Sequence, residues 1–195
     1  MRLYLFAAVI IFLNACNNHP VPEPKPQSNA ADTTVEKPDF FPVTSFLKGQ
    51  IYNINQKGLA PLKYTTVNHT TDSVFVKLEQ LDSLLTEFLH PEIDSLNMVP
   101  FFTETKFLDQ TVDAFTFTYD PKAKLPDSIH LKHWDVYIDP ETSEVKRVYM
   151  IKEYGSTKTL QLTWQSNLWC KIVTLSHKPD GSSTVEKEEK ISWDY

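Results

Sequence analysis

The sequence predicts an α+β domain: a curved antiparallel sheet, dominated by a C-terminal β-meander of about six to seven strands, with two helices from the N-terminal half packed on one face. Three observations carry this expectation. Apolar residues recur at the helical period in two segments, both before residue 91. From residue 101 onward the chain becomes a series of short runs that alternate apolar and polar residues and favour aromatic and β-branched side chains. Turn sequences separate those runs and join neighbours as hairpins. Helical and strand segments are therefore segregated along the chain, which is the pattern of α+β and not of a parallel βαβ fold.

The first helical segment is Pro42 to Gln56, where Val43, Phe46, Leu47, Ile51 and Ile54 share a face. Pro42 suits its first turn and Gly58 its exit. Leu62 to Asn68 and Ser73 to Lys77 read as two strands with polar turn residues between them. A second helix is expected over Glu79 to Leu89, with Leu81, Leu84, Leu85, Phe88 and Leu89 as its apolar stripe and Pro91 as its stop. Strands are then expected at Phe101 to Leu108, Val112 to Tyr119, Ile129 to Ile138, Val145 to Tyr154, Thr159 to Gln165, Leu168 to Lys178 and Thr184 to Trp193. Pro140, in DPETSE, fits the second place of a type I turn. PDGS, Pro179 to Ser182, is the clearest hairpin signal in the chain.

The N-terminus carries a different message. Arg2 precedes an apolar run, Leu3 to Leu13, that ends near the small residue Ala15 and then Cys16. As a helix this run would span about 17 Å, well short of the roughly 30 Å hydrocarbon core of a bilayer. A charged start, a short apolar core and a small terminal residue describe a removable export signal. Leu13, Ala15 and Cys16 resemble the lipobox of bacterial lipoproteins; Asn14 departs from the usual small or hydroxylated residue at a tolerant position. The resemblance implies that residues 1–15 are a signal peptide and that Cys16 is the lipidation site. Each buried methylene contributes about 0.8 kcal/mol, so more than one acyl chain makes a lasting anchor. The residues after Cys16 lack an Asp at the second mature position, which for such proteins implies the outer membrane, on its periplasmic side.

Residues 16–39 read as a polar tether with alternating Pro20, Pro22, Pro24 and Pro26. Extended, it would reach roughly 70 Å. Residues 40–195 form a single domain. Removal of Arg2 with the signal leaves 18 basic against 25 acidic side chains, a balance that repels nucleic acid. The partners expected are a membrane, through the anchor, and an envelope protein or a lipidic ligand. With Cys16 acylated, Cys170 remains as a single thiol, and it reads as a small buried apolar residue.

Chemistry-bearing motifs are sparse. The four glycines are too dispersed for a phosphate loop or a dinucleotide fingerprint, and neither HExxH nor GxSxG occurs. No cofactor or metal is expected. His130 and His133 are three apart on an expected strand and so point to opposite faces. Asp135, Asp139, Glu141 and Glu144 have the chemistry of a hard-cation site, but a solvated turn accounts for them. Taking PDG as a three-residue loop pairs Leu175 with Val185, Val173 with Lys187, Lys171 with Glu189 and Trp169 with Ile191. That register makes Lys171, Lys187, Glu189 and Trp169 candidate ligand contacts in an apolar surface, unless a bulge or an edge position lets the charges reach water. Trp134, Trp164, Trp169 and Trp193 all fall in the strand-rich half, where core packing accounts for them and an aromatic-lined groove is the alternative.

VYIDPETSEVKRVYMI, Val136 to Ile151, resembles the strand–turn–strand hairpin of PepSY-like domains, with Ser143 where their turn has glycine. As a whole the chain looks like uncharacterised bacterial lipoproteins of similar length, which implies an anchored α+β domain and no particular activity. Three functions fit: a non-enzymatic binding or interaction module; a carrier of lipidic cargo in an apolar hollow of several hundred Å³; and an envelope-polymer hydrolase using two carboxylates, Asp109 with Asp113 or Asp120.

Overall fold

The computed structural model describes residues 39–193. The expected signal peptide, the expected lipidation site Cys16 and the expected tether up to residue 38 lie outside the described residues. The chain is mostly β with helices. Helix α1 (Val43–Gln56) is followed by strands β1 (Leu62–Val67) and β2 (Thr70–Phe75), a 3₁₀ turn (Leu78–Gln80) and short helices α2 (Leu81–Leu84) and α3 (Thr86–Leu89). Seven strands then run consecutively: β3 (Phe102–Asp109), β4 (Ala114–Pro121), β5 (Leu131–Ile138), β6 (Val145–Tyr154), β7 (Lys158–Gln165), β8 (Trp169–His177) and β9 (Ser183–Ser192). All pairings are antiparallel, in one open sheet of order β2-β1-β9-β8-β7-β6-β5-β4-β3. The sheet has nine strands, more than the six to seven expected of the C-terminal meander. The β1–β2 hairpin docks against β9 and lengthens the meander, and no local sequence pattern encodes that long-range pairing.

The expected second helix is not continuous. It breaks at Leu85, where φ is −99° and ψ is 8°. The Thr86 hydroxyl donates to the carbonyls of Asp82 and Ser83, the side-chain back-bonding that disturbs helices. The apolar stripe still does its work: Leu81, Leu85 and Phe88 are buried. α1 buries Val43, Leu47, Ile51 and Ile54 against the same sheet face. Thr44 ties the following segment to α1, its hydroxyl accepting from the Ile93 N–H.

Alternation along the strands sends Phe102, Tyr119, Trp134, Met150, Leu162 and Trp164 to the helix-covered face. Two aromatic centres organise this core. Trp134 stacks on Tyr119 with centroids 4.4 Å apart and takes Phe102 edge-on at 4.6 Å. Trp164 packs with Phe88 of α3 at 5.4 Å and Trp193 at 5.2 Å. Cys170 is buried on this face, and burial pushes its thiol up, away from reactivity.

The alternation also sends Lys152 inward, where it is 2% exposed. Its ammonium donates to the Glu87 carboxylate at 2.8 Å and to the main-chain carbonyls of Glu87 and His90 at the end of α3. Tyr154 donates to the same carboxylate at 2.8 Å. Burial lowers the Lys152 pKa, with Glu87 opposing. Burial also acts to raise Glu87, but Lys152 and Tyr154 outweigh it and hold the carboxyl below its usual range. This cluster fastens the helical layer to the sheet.

The PDG turn forms as expected, with Lys178 N–H donating to the Ser182 carbonyl at 2.9 Å and Gly181 at φ +84°. Leu175 does pair with Val185, but a β-bulge follows between Thr174 and Leu175, with Glu186 as the extra residue of β9. Beyond it Cys170 pairs with Ile191, Ile172 with Glu189 and Thr174 with Lys187. The expected facing of Lys171 with Glu189, of Val173 with Lys187 and of Trp169 with Ile191 is therefore wrong by one residue, which exchanges faces.

Candidate functional site

The bulge splits the four candidate contacts in two. Lys187 and Glu189 lie on the helix-covered side, where Glu189 bonds both Lys63 and Lys187 at 2.7 Å. Burial acts to raise the Glu189 pKa, but the two lysines prevail and lower it. Trp169 and Lys171 lie on the other side. There Lys190 sits over the Trp169 ring at 5.1 Å, and Lys171 meets Glu188 at 3.6 Å.

Beside Glu189, between α2–α3 and the sheet, is a hollow lined by Leu84, Leu85, Phe88, Cys170, Ile172 and Ile191. Its volume is about 30 Å³, room for about one water and far too little for an acyl chain.

The side of the sheet away from the helices has a more developed arrangement. Register sets its rows. Thr116, Tyr137, Arg147, Gln165 and Trp169 are successive cross-strand neighbours from β4 to β8. The row beside it contains Thr118, Asp135, Tyr149, Thr163 and Lys171. In the first row the Arg147 guanidinium lies over the Tyr137 ring, 4.0 Å from its centroid. A second bulge makes Lys146 the extra residue of β6, since Ile138 pairs with Val145 and Tyr137 with Arg147. Lys146 and Arg147 can therefore approach one site together. With Val112, Ala114, Tyr137 and Gln165 they line a cleft of about 100 Å³. Lys146 reaches across to the Asp113 carbonyl at 3.0 Å and the Asp139 carboxylate at 3.6 Å. Arg147 has no carboxylate within ion-pair distance among the described residues. Thr116, opposite Tyr137, is 2% exposed, and its hydroxyl has no protein partner among the described residues.

Next to the cleft, His133 bridges two acids. Its Nδ1 meets Asp120 at 2.8 Å and its Nε2 meets Asp135 at 3.0 Å. Asp135 also accepts from Thr118 at 2.6 Å and from Tyr137 at 3.3 Å. The hydrogen bond to Asp135 leads in raising His133 to about 9, with burial opposing and Asp120 adding to the rise. Burial acts to raise Asp135, but His133 and Thr118 prevail and hold it below the ordinary carboxylate range. Burial raises Tyr137 and Tyr149, with the Asp135 charge adding to both. At neutral pH the cluster is an imidazolium clamped between two carboxylates. It holds charge in place, and within it the hydroxyls of Thr118 and Tyr137 serve Asp135.

Of the carboxylates considered for hydrolysis, Asp109 and Asp120 are too far apart to act as an acid–base pair. Asp109 and Asp120 sit at opposite ends of the β3–β4 ladder, about 20 Å apart at roughly 3.3 Å per residue. Asp109 accepts from the N–H and hydroxyl of Thr111. Those bonds draw its carboxyl below its usual value, whereas a general acid needs a raised pKa. Asp113 occupies the turn at φ +47°. Asp139 likewise serves its turn, accepting from the N–H groups of Glu141 and Thr142 at 2.9 Å, while Asp135 belongs to the His133 cluster. His130 stacks on Tyr154 at 4.4 Å, apart from His133. Among the described residues no group of three or more His, Cys, Asp or Glu side chains is arranged to hold a metal ion, and no helix is long and apolar enough to cross a membrane.

Sequence reading passed over Tyr137, Arg147 and the Asp120–His133–Asp135 bridge. One signal was available: Arg147 is the only arginine besides Arg2, in a strand whose alternation puts it on the side opposite Val148 and Met150. No family model matches the chain, and searches of curated proteins and of solved structures give no match.

Proposed function

We propose that the protein is a membrane-anchored, periplasm-facing binding or interaction module, acylated at Cys16 and held at the outer membrane by the tether. Its recognition point is the cleft of Tyr137, Lys146, Arg147 and Gln165, and its ligand presents a carboxylate. The observation that carries this reading is the Arg147 guanidinium, lying over the Tyr137 ring in a cleft of about 100 Å³ with no carboxylate at ion-pair distance among the described residues. A planar guanidinium fork suits a carboxylate better than a point charge does. Ala114 and Val112 offer apolar contact to whatever bears the acid.

The test uses the full-length protein in detergent, titrated with acetate and with inorganic phosphate and followed by NMR of the Gln165 amide. Saturable acetate binding that weakens about tenfold in Arg147→Gln, with no rescue by Arg147→Lys, is the expected result. No saturable response to acetate, or an unchanged response in Arg147→Gln, overturns the carboxylate assignment. The anchor is tested separately: palmitate labelling should be present in the wild type and lost in Cys16→Ser. The carrier reading finds less support, since the apolar hollow under α2–α3 is about 30 Å³ and the roomier groove of about 440 Å³ beside Tyr52 and Leu89 is lined also by Lys48, Asp82 and His90.

A further inference from the structure

Both edges of the sheet carry exposed apolar side chains, Val74 and Phe75 on β2 and Phe107 and Leu108 on β3, and they differ in their main-chain groups. In β2, the bond from Val76 N–H to the Pro61 carbonyl fixes which groups point inward. Thr71, Ser73 and Phe75 therefore direct their main-chain groups outward. That edge is blunted, because the Ser73 N–H is capped at 2.8 Å by the Asp72 carboxylate. In β3, the bond from Lys122 N–H to the Phe101 carbonyl sets the corresponding parity. Glu104, Lys106 and Leu108 direct their main-chain groups outward. Phe107 and Leu108 on this edge are 47% and 49% exposed. An open strand carrying exposed apolar side chains is a template for another strand.

We infer that the β3 edge pairs with the β3 edge of a second copy of this chain, antiparallel about a two-fold axis at Thr105. The segment Thr103 to Phe107, TETKF, is self-complementary about that point. In this register Glu104 lies opposite the partner copy's lysine, and Lys106 opposite its glutamate. Thr103 lies opposite a phenylalanine, and Thr105 opposite its own copy. The outward parity permits only registers that shift by two residues, and the neighbouring ones place Glu104 opposite Glu104 or Lys106 opposite Lys106. Like charges opposed in a ladder repel, so the charges select the one register. Glu104 and Lys106 already lie 2.8 Å apart within one chain, so pairing assembles four alternating charges across the axis. The ladder stops near Phe102, whose N–H is held by the Met98 carbonyl. Phe107 gains cover on the face that carries the cleft, Leu108 on the other, and the two open faces become one surface with two copies of the site.

Five paired residues on each chain make a small contact, and contacts below about 1,200 Å² are characteristically weak. Anchoring both copies in one membrane, as proposed above, raises their effective concentration. The dimer itself does not require the anchor or the cleft ligand, so it stands or falls separately from them.

The test is oxidation of the full-length protein carrying Thr105→Cys. Positions opposite each other at a non-hydrogen-bonded pair have the closest side chains, so a disulfide dimer should form. Thr103→Cys, about 13 Å from its own copy in this register at roughly 3.3 Å per residue, should cross-link far less. Sedimentation equilibrium supplies the second reading. Lys106→Glu should weaken self-association at least about tenfold, and Glu104→Lys with Lys106→Glu should restore it to within about threefold. Equal cross-linking at positions 103 and 105, or a monomer at every concentration, overturns the inference. Occupation of the edge by another segment or another protein would appear as that monomer.

Discussion

Each face of the sheet has its own ionic cluster, and the two are built on opposite terms. On the helix-covered face Lys152 is 2% exposed and its pKa is lowered, because burial outweighs Glu87. On the open face the His133 side chain is 24% exposed and is raised to about 9, because its two acids outweigh burial. The first cluster joins two layers and involves main-chain carbonyls at the end of a helix. The second joins neighbouring strands and stays within reach of solvent. A buried charge on the covered face therefore acts as a fastening, while a fixed charge on the open face contributes to a surface that a ligand can reach.

The largest effect expected from this contrast is at Lys152. Lys152→Met keeps much of the apolar stem but leaves the carbonyls of Glu87 and His90 without their ammonium donor. Breaking a buried ionic group from one side costs about 3–5 kcal/mol, and urea denaturation should show a loss near the lower end, since the Glu87 side chain is 38% exposed and can turn to water. A loss under about 1 kcal/mol would mean that apolar packing alone holds α3 to the sheet.

The fold was legible where a signal is local. α1, the pairing of successive strands and the PDG turn follow from period, turn chemistry and the order of segments. Lys152 was legible too, since Val148, Met150 and Lys152 share one strand parity, but a lysine does not announce a core position. The bulges at Lys146 and Glu186 were not legible, because an extra residue in a strand leaves composition and alternation almost unchanged. The bulge at Glu186 alone separates Lys171 and Trp169 from Lys187 and Glu189. The docking of β1 on β9 is likewise a contact between residues far apart in sequence. The site depends on these non-local terms, so its residue types were visible and its grouping was not.

At His133 the contrast predicts a pH dependence. Its folded pKa, about 9, lies above the unfolded value of 6.5, so the folded state binds the proton more tightly. The resulting stability is complete below pH 6.5 and is lost as pH rises through about 9. Asp135 has the opposite sign: lowered from 3.8, it contributes above that pH and loses its contribution as pH falls through its folded value. Stability should therefore be highest between about pH 4 and 6.5. The His133 part of the decline amounts to at most about 3 kcal/mol by pH 9. Thermal or urea unfolding across this range should show the slope in the wild type and a much flatter one in His133→Gln. An unchanged slope would place the titration elsewhere and remove the distinction between the two clusters.

The smallest effect lies in the turn that separates β5 from β6, next to the open-face cleft. Ser143 has φ +61°, a left-handed conformation that costs a side-chain-bearing residue roughly 1–2 kcal/mol and glycine almost nothing. Its N–H donates to the Asp139 carbonyl at 2.9 Å, a bond that glycine would keep. Glycine also increases the freedom of the unfolded chain, which offsets part of the gain. Ser143→Gly should therefore raise stability by about 0.5–1 kcal/mol, read as a higher urea midpoint at unchanged slope. Acetate binding should not change, because the strand ends that position Arg147 are left in place. If binding weakens instead, the cleft is held by the turn as well as by the ladder, and the open face is less rigid than its register implies.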